Sequence, residues 1–297
     1  MKTWMISSLA YLILAPIVGG LSVGLDRIIT ARMQKRIGPP ILQPFYDVIK
    51  LFSKQRSMVE KFQLFYVFCF TLFMIIAGVI FFAGLDLLLV FFTMTLANIF
   101  LILGAYSTSS PMSFIGAERE LILMVAYEPM VMLTIVGFYI VTGSFHISHI
   151  AVFDKFPIIL LLPGCFFGFL SVLIVKFNKS PYDLSASHHP HQELVKGITS
   201  DFSGPVLALI EIAHWYEYVF LFGFVFLFFS FNWIVGIIAV AVFFEIFILV
   251  DNVFARFKYE FVVKSLWILT MILGFGNIIV LYVLFYFTDF AKTFLKI

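Results

Sequence analysis

The stretch Phe62–Tyr106, FQLFYVFCFTLFMIIAGVIFFAGLDLLLVFFTMTLANIFLILGAY, carries one formal charge, Asp86. As a single helix it would run about 68 Å, at about 1.5 Å per residue, more than twice the roughly 30 Å hydrocarbon core of a bilayer. It therefore has to fold back on itself, and Ala83-Gly84 is where the backbone can turn. A helical hairpin with no polar face belongs in lipid, where every backbone group is satisfied within the helix. The remaining sequence agrees. Of 297 residues, 62% are hydrophobic and 12% charged, against roughly a quarter charged in soluble domains.

Working outward, charge-poor runs predict an all-α integral membrane protein with eight spanning helices. They fall near 4–26, 62–83, 85–106, 121–142, 157–176, 206–229, 232–250 and 262–288, in a single transmembrane domain over residues 1–297. Ser230-Phe231-Asn232 separates the sixth and seventh spans as tightly as Ala83-Gly84 separates the second and third. The longer connections 27–61, 107–120, 177–205 and 251–261 then share one face. Of 19 Lys and Arg residues only Lys2, Lys155, Lys292 and Lys296 lie on the other face. The positive-inside rule makes the long connections cytoplasmic and puts both termini outside. The first apolar run, Trp4 to Leu25, has one lysine before it and no small-residue cleavage pattern after it, so it reads as a retained span. Within the first long connection Ile41, Leu42, Phe45, Ile49, Leu51, Phe52 and Met58 are interleaved with Asp47, Lys50 and Lys54. That pattern predicts an interfacial amphipathic helix, with a solvated basic loop lying on the lipid as the alternative.

A net charge of +2 does not point to nucleic acid. Cys69 and Cys165 both lie in apolar runs and no Cys-x-x-Cys pair occurs, so the chain lacks the thiolates for an iron-sulfur or nickel centre. No cofactor is expected in this chain. Intramembrane charges are the candidates for function, because a carboxylate near mid-membrane costs at least about 2.5 kcal/mol. Asp26 and Asp86 read as interfacial or capping groups at span ends. Glu118, Arg119 and Glu120 open the fourth span and can neutralise one another, while Glu128 lies a little over two turns deeper. At about 100° per residue, Glu211, His214, Trp215 and Tyr218 share one face of the sixth helix, with Glu217 further round beside His214. Burial favours a neutral acid and a nearby imidazole favours the anion, so such a set can pass a proton. Static polar glue between helices would use the same residues. Glu245 and Asp251 extend the set along the seventh helix.

The connections carry more specific motifs. The first reads Arg36-Ile37-Gly38-Pro39-Pro40, then Gln43-Pro44-Phe45-Tyr46-Asp47 and Lys50-Leu51. The fourth span opens with Gly116-Ala117-Glu118-Arg119-Glu120-Leu121, followed by Ala126-Tyr127-Glu128. The third connection reads Ser180-Pro181-Tyr182-Asp183-Leu184, then His188-His189-Pro190-His191-Gln192-Glu193-Leu194-Val195-Lys196-Gly197, then Ser200-Asp201-Phe202-Ser203-Gly204-Pro205. Ser203 there is placed to cap the sixth helix.

These motifs, in this order and over nearly the whole chain, resemble the family that unites three kinds of membrane subunit. They are the H-type membrane component of bacterial complex I, its mitochondrial subunit 1 counterpart and the membrane anchors of group 4 energy-converting nickel-iron hydrogenases. Two departures from the complex I pattern, Pro40 and Asp201-Phe202-Ser203-Gly204, favour the Ech-type hydrogenase branch. So do the histidine-rich run and Ala213-His214-Trp215-Tyr216-Glu217.

The resemblance implies a non-redox subunit of an oxidoreductase complex, in the plasma membrane of a prokaryote. It would couple ferredoxin-linked hydrogen chemistry to H⁺ or Na⁺ translocation. Its implied partners are the hydrogenase large and small subunits, an iron-sulfur protein and an antiporter-like membrane subunit, with ferredoxin met indirectly. The nickel-iron centre and four-iron clusters would sit in those partners. The implied ion path comprises Glu118, Glu120, Glu128, Glu211, His214, Glu217, Glu245 and Asp251. The implied docking surface comprises Arg36, Gly38, Pro39, Pro40, Gln43, Asp47, Lys50, Arg119, Asp183, His188, His189, His191 and Glu193. The three histidines suit nickel or zinc, but no fourth ligand is evident and contacts to a partner are the preferred use. A quinone-reducing complex I subunit is the alternative. A free-standing transporter would be expected to show internal repeats and broken helices.

Overall fold

The computed structural model describes residues 2–55, 62–108, 110–153, 156–179, 182 and 196–287. In chain order it contains α1 (Lys2–Met33), α2 (Gln43–Ser53), α3 (Phe62–Phe82), α4 (Leu87–Tyr106), α5 (Pro111–Thr142), α6 (Ile147–Ala151), α7 (Ile158–Leu161) and α8 (Pro163–Lys176). A 3-10 turn (Gly197–Thr199) precedes α9 (Pro205–Leu227) and α10 (Trp233–Val253), and α11 (Tyr259–Leu269) passes through a π-helical turn (Thr270–Phe275) into α12 (Gly276–Phe287). Among the described residues, 7 helical stretches are long and apolar enough to cross a membrane: α1, α3, α4, α5, α9, α10 and the run α11 to α12. The chain is a multi-pass, all-α membrane protein.

The expected fifth span is present in two pieces. α7 ends at Leu161, Leu162 leaves the helical region (φ −118°, ψ 43°) and α8 restarts at Pro163. Proline brings no N–H to the break. Asn277 of α12 bridges it, its amide donating to the Leu161 carbonyl at 3.1 Å and its Oδ1 accepting from the Cys165 N–H at 3.0 Å. Irregular backbone within an apolar span survives where protein supplies the missing partners.

Other boundaries shift for local reasons. α5 begins at Pro111, a residue suited to a first turn, rather than at 121, so Glu118, Arg119 and Glu120 lie inside the helix instead of opening it. Asp86 caps α4 as expected, accepting from the Leu88 N–H at 2.8 Å, and Gly84 turns the hairpin at φ +73°. The cap expected of Ser203 is not made. Gly204 occupies the cap position of α9 with φ +56°, a backbone region glycine tolerates, and Pro205 fills the first turn.

The connections gather at two ends. At one, Leu87 N–H donates to Phe145 at 2.9 Å, Ile147 N–H to Leu85 at 3.0 Å, and the Ser230 hydroxyl to Ile150 at 3.3 Å. At the other, the Gln63 amide donates to the Asp201 carbonyl at 3.2 Å and the Tyr259 hydroxyl to the Arg119 carbonyl at 2.9 Å. The alternation of connections between two ends expected from charge is thus present among the described residues, but not the expected alternation in length, since the α4–α5 and α10–α11 connections are short and the α5–α7 connection at the opposite end is longer than either. The expected amphipathic helix is α2. It buries Val48 against Ala208 and Trp215, sets Phe45 5.1 Å from the Trp215 ring and leaves Tyr46, Ile49 and Phe52 exposed. Gly19 and Gly20 permit this docking, since a Cβ at either would collide with Trp215 or Phe45.

Candidate functional site

A cavity of about 370 Å³ lies between α1, α9, α10 and the segment following α8, and its wall is charged. Asp26 and Arg27 come from α1, Lys176 and Lys179 from the end of α8 and beyond, Glu211, His214 and Glu217 from α9, and Asp251 from α10. Helical periodicity explains the α9 contribution, because residues three and four apart stack on one face. Lys179 is reached through Asn178, whose left-handed backbone (φ +52°) is one asparagine adopts more readily than most residues.

Two ion-pair groups organise the wall. Lys179, 7% exposed, bonds Asp26 and lies 3.2 Å from Asp251, linking α1 to α10. Deeper in, Glu217, 4% exposed, accepts from Lys176 Nζ at 3.0 Å and has His214 Nδ1 3.2 Å from its second oxygen. The Lys176 ammonium also stands 5.1 Å from the centroid of the Tyr127 ring. Such buried charges persist only when paired, and removal of one partner strands the other.

Behind this cluster a second space of about 40 Å³ shares Lys176, Asn178, His214 and Glu217 with the first and is bounded beyond them by Asn98, Glu120, Tyr127 and Thr199. About 10–15 Å³ of such space accommodates one water. The buried Asn98 Nδ2 has no hydrogen-bond partner among the described residues, so the space is polar as well as large enough. On the other side of Lys176 the interior offers water little room and few polar partners. The cleft lined by Phe91, Phe169, Phe220 and Phe224 measures about 10 Å³ and is apolar.

The structure therefore brings Glu211, His214, Glu217 and Asp251 onto one cavity and Glu120 onto the adjoining one. Glu118 is exposed. Glu128 is half-buried beside Pro129, lines neither space and has one buried oxygen without a hydrogen bond among the described residues. Glu245 faces outward from α10, away from both spaces. The Arg119 guanidinium lies over the Tyr259 ring, 5.0 Å from its centroid.

Of the expected docking residues, Arg36, Pro40 and Lys50 are exposed and Gly38 and Pro39 partly covered. Asp47 accepts from Arg27 at 2.7 Å and from Gln43 at 3.0 Å. Partial burial opposes its charge, but these two donors hold its carboxyl below the usual carboxylate range. Asp183, His188, His189, His191 and Glu193 lie outside the described residues. Among those described, no group of three or more His, Cys, Asp or Glu side chains is placed to hold a metal.

Sequence reasoning missed Lys176, Lys179 and Asp26. The lysines counted only as positive-inside charges and Asp26 as a span-end carboxylate. A signal existed. Lys176 abuts an apolar run and Lys179 follows within one turn, so both can reach back among acidic residues instead of outward.

A model of the NADH dehydrogenase family matches residues 6–282. The chain belongs to this family. Within it, the chain is 30% identical over 224 residues to hydrogenase-4 component C of Escherichia coli, covering 69% of each chain. It is 28% identical over 221 residues to formate hydrogenlyase subunit 4 of the same organism, covering 67% of this chain and 68% of that one. Identity to the H-type membrane component of the NADH-quinone oxidoreductase of Bacillus cytotoxicus is 29% over 238 residues, covering 72% and 70%. A chain of an archaeal membrane-bound sulfane sulfur reductase shares the fold at a TM-score of 0.80 and 24% identity, covering 93% of this chain and 99% of that one. As a family member, the chain is a membrane subunit of a respiratory-type complex.

Proposed function

We propose that this chain is the membrane subunit of a ferredoxin-linked, proton-reducing, energy-converting hydrogenase, lying in the plasma membrane of a prokaryote with its long connections in the cytoplasm. In this reading it docks an arm of nickel-iron large subunit, small subunit and iron-sulfur protein, which hold the redox centres, and neighbours an antiporter-like membrane subunit. Its own residues move an ion. Asp26, Lys179 and Asp251 form the entry, Glu211 leads inward, and the Lys176–Glu217–His214 cluster hands on through the small polar space to Glu120.

The observation that carries the ion-path reading is the charged lining of the 370 Å³ cavity. A line of paired, titratable side chains along one cavity suits proton relay. The likeness to hydrogenase-4 component C and formate hydrogenlyase subunit 4 supports the hydrogenase branch. The likeness to the NADH-quinone oxidoreductase component supports a second reading, the quinone-site subunit of complex I. Purification of the intact complex in mild detergent decides between them. The hydrogenase reading expects nickel and iron together with a subunit bearing two Cys-x-x-Cys motifs. A co-purifying flavoprotein that oxidises NADH, with no nickel, would overturn it.

A further inference from the structure

Glu245 stands apart from the charged cavity. It lies on α10 about 18 Å from Trp233 and about 12 Å from Val253, at about 1.5 Å per residue, which puts it close to mid-span. The buried residues of α10 are Gly236, Phe247 and Ile248. Glu245 shares the opposite face with Ile238, Val242 and Leu249, which are 57%, 48% and 48% exposed. No described residue gives it a hydrogen bond or ion pair, and Lys176 and Lys179 inside the bundle are held by Glu217, Asp26 and Asp251.

A bare carboxylate at this depth is strongly disfavoured against hydrocarbon, so lipid is the wrong neighbour for this face. A second copy packed through the same face about a two-fold axis would set one Glu245 towards another and supply no counter-charge. The complementary neighbour is a helix of opposite charge. Ala241, one turn before Glu245, leaves room for such a helix to approach. We infer that the outward face of α10 is the seam for a transmembrane helix of a different membrane subunit, and that this helix presents a Lys or Arg to Glu245. This rests on the reading of the chain as one subunit of a membrane complex.

The test places a photo-crosslinking residue at Val242 in the intact complex, in native membranes, and identifies the linked peptide by mass spectrometry. The expected adduct is with one other subunit, in an apolar segment that contains Lys or Arg. Glu245→Lys is expected to abolish the adduct and to lose that subunit from the purified complex, and changing the partner's basic residue to Glu restores both. Rescue by the reversed pair separates lost docking from misfolding. An adduct with lipid alone, with a second copy, or with a segment lacking a basic residue overturns the inference, as does an adduct that survives Glu245→Lys. A basic helix found in a complex without nickel would sustain this seam and end the hydrogenase reading. A nickel-containing complex without the adduct would do the reverse.

Discussion

The two halves of α9 are built for opposite solvents. From Glu211 to Tyr218 the helix presents carboxylates, an imidazole and a phenol to a cavity that also receives two lysines. From Phe220 onward it presents phenylalanines to phenylalanines. Phe224 lies 4.6 Å from Phe169, 5.9 Å from Phe138 and 6.1 Å from Phe81, and Phe228 lies 4.7 Å from Phe138 and 5.0 Å from Phe166. The boundary is sharp, since Glu217 and Phe220 are one turn apart. On the proposed reading, an ion that enters the charged half would be turned sideways by this apolar plug, through the small polar space towards Glu120, instead of running straight across the bundle.

The largest effect should come from unbalancing the charged half. Lys176→Met strands Glu217, both side chains being almost wholly buried, and should cost about 3–5 kcal/mol. The thermal midpoint in detergent should fall clearly, and Lys176→Met combined with Glu217→Gln should recover most of the loss. Equal midpoints for the single and double variants would show that the pair is not coupled.

Opening the apolar half should come next. Phe224→Ala leaves a void at the centre of the plug and should cost about 3 kcal/mol. In proteoliposomes it should also raise passive proton permeability, and an unchanged leak would mean that the plug is not the barrier.

Asn277→Ala removes both hydrogen bonds that span the α7–α8 break. About 1–3 kcal/mol of stability should go with them, with hydrogen exchange rising at Leu162 to Cys165. Protection unchanged there would mean that the break is held by something else.

The smallest effect belongs to α2, outside both halves. Asp47 and Arg27 are 41% and 40% exposed, so Asp47→Asn should cost only about 0.2–1 kcal/mol. Because the Asp47 carboxyl is held below its ordinary range, this stabilisation is fully present above the unfolded carboxylate value near 3.9 and disappears as pH falls through the lower folded value. Thermal midpoints of the wild type and Asp47→Asn should converge under acid, and a gap that widened there would contradict the assignment.

Much of this was legible from the residues. The hairpin at Gly84, the Asp86 cap and the shared face of Glu211, His214 and Tyr218 depend on neighbours a few positions away, which periodicity and turn chemistry capture. The early start of α5 at Pro111 and the break at Leu162 were misread because hydropathy reports where apolar residues lie, not where a helix begins or is interrupted. The break is tolerated through Asn277, more than a hundred residues distant in sequence. Lys176 and Lys179 were invisible as site residues for the same reason, since their partners lie on α9, α1 and α10. Glu245 shows a different limit. Apart from Glu245, Asp251 and Asn252, α10 is apolar on every face, so no amphipathic stripe tells which way the Glu245 carboxylate points.

The most direct measurement is ion uptake per turnover in proteoliposomes holding the whole complex, with Lys176→Gln and Glu217→Gln introduced together so that no charge is left bare. Hydrogen evolution in uncoupled vesicles should persist while uptake falls to background. Uptake at the wild-type ratio from the doubly neutral complex would contradict the claim that ions cross through this cluster.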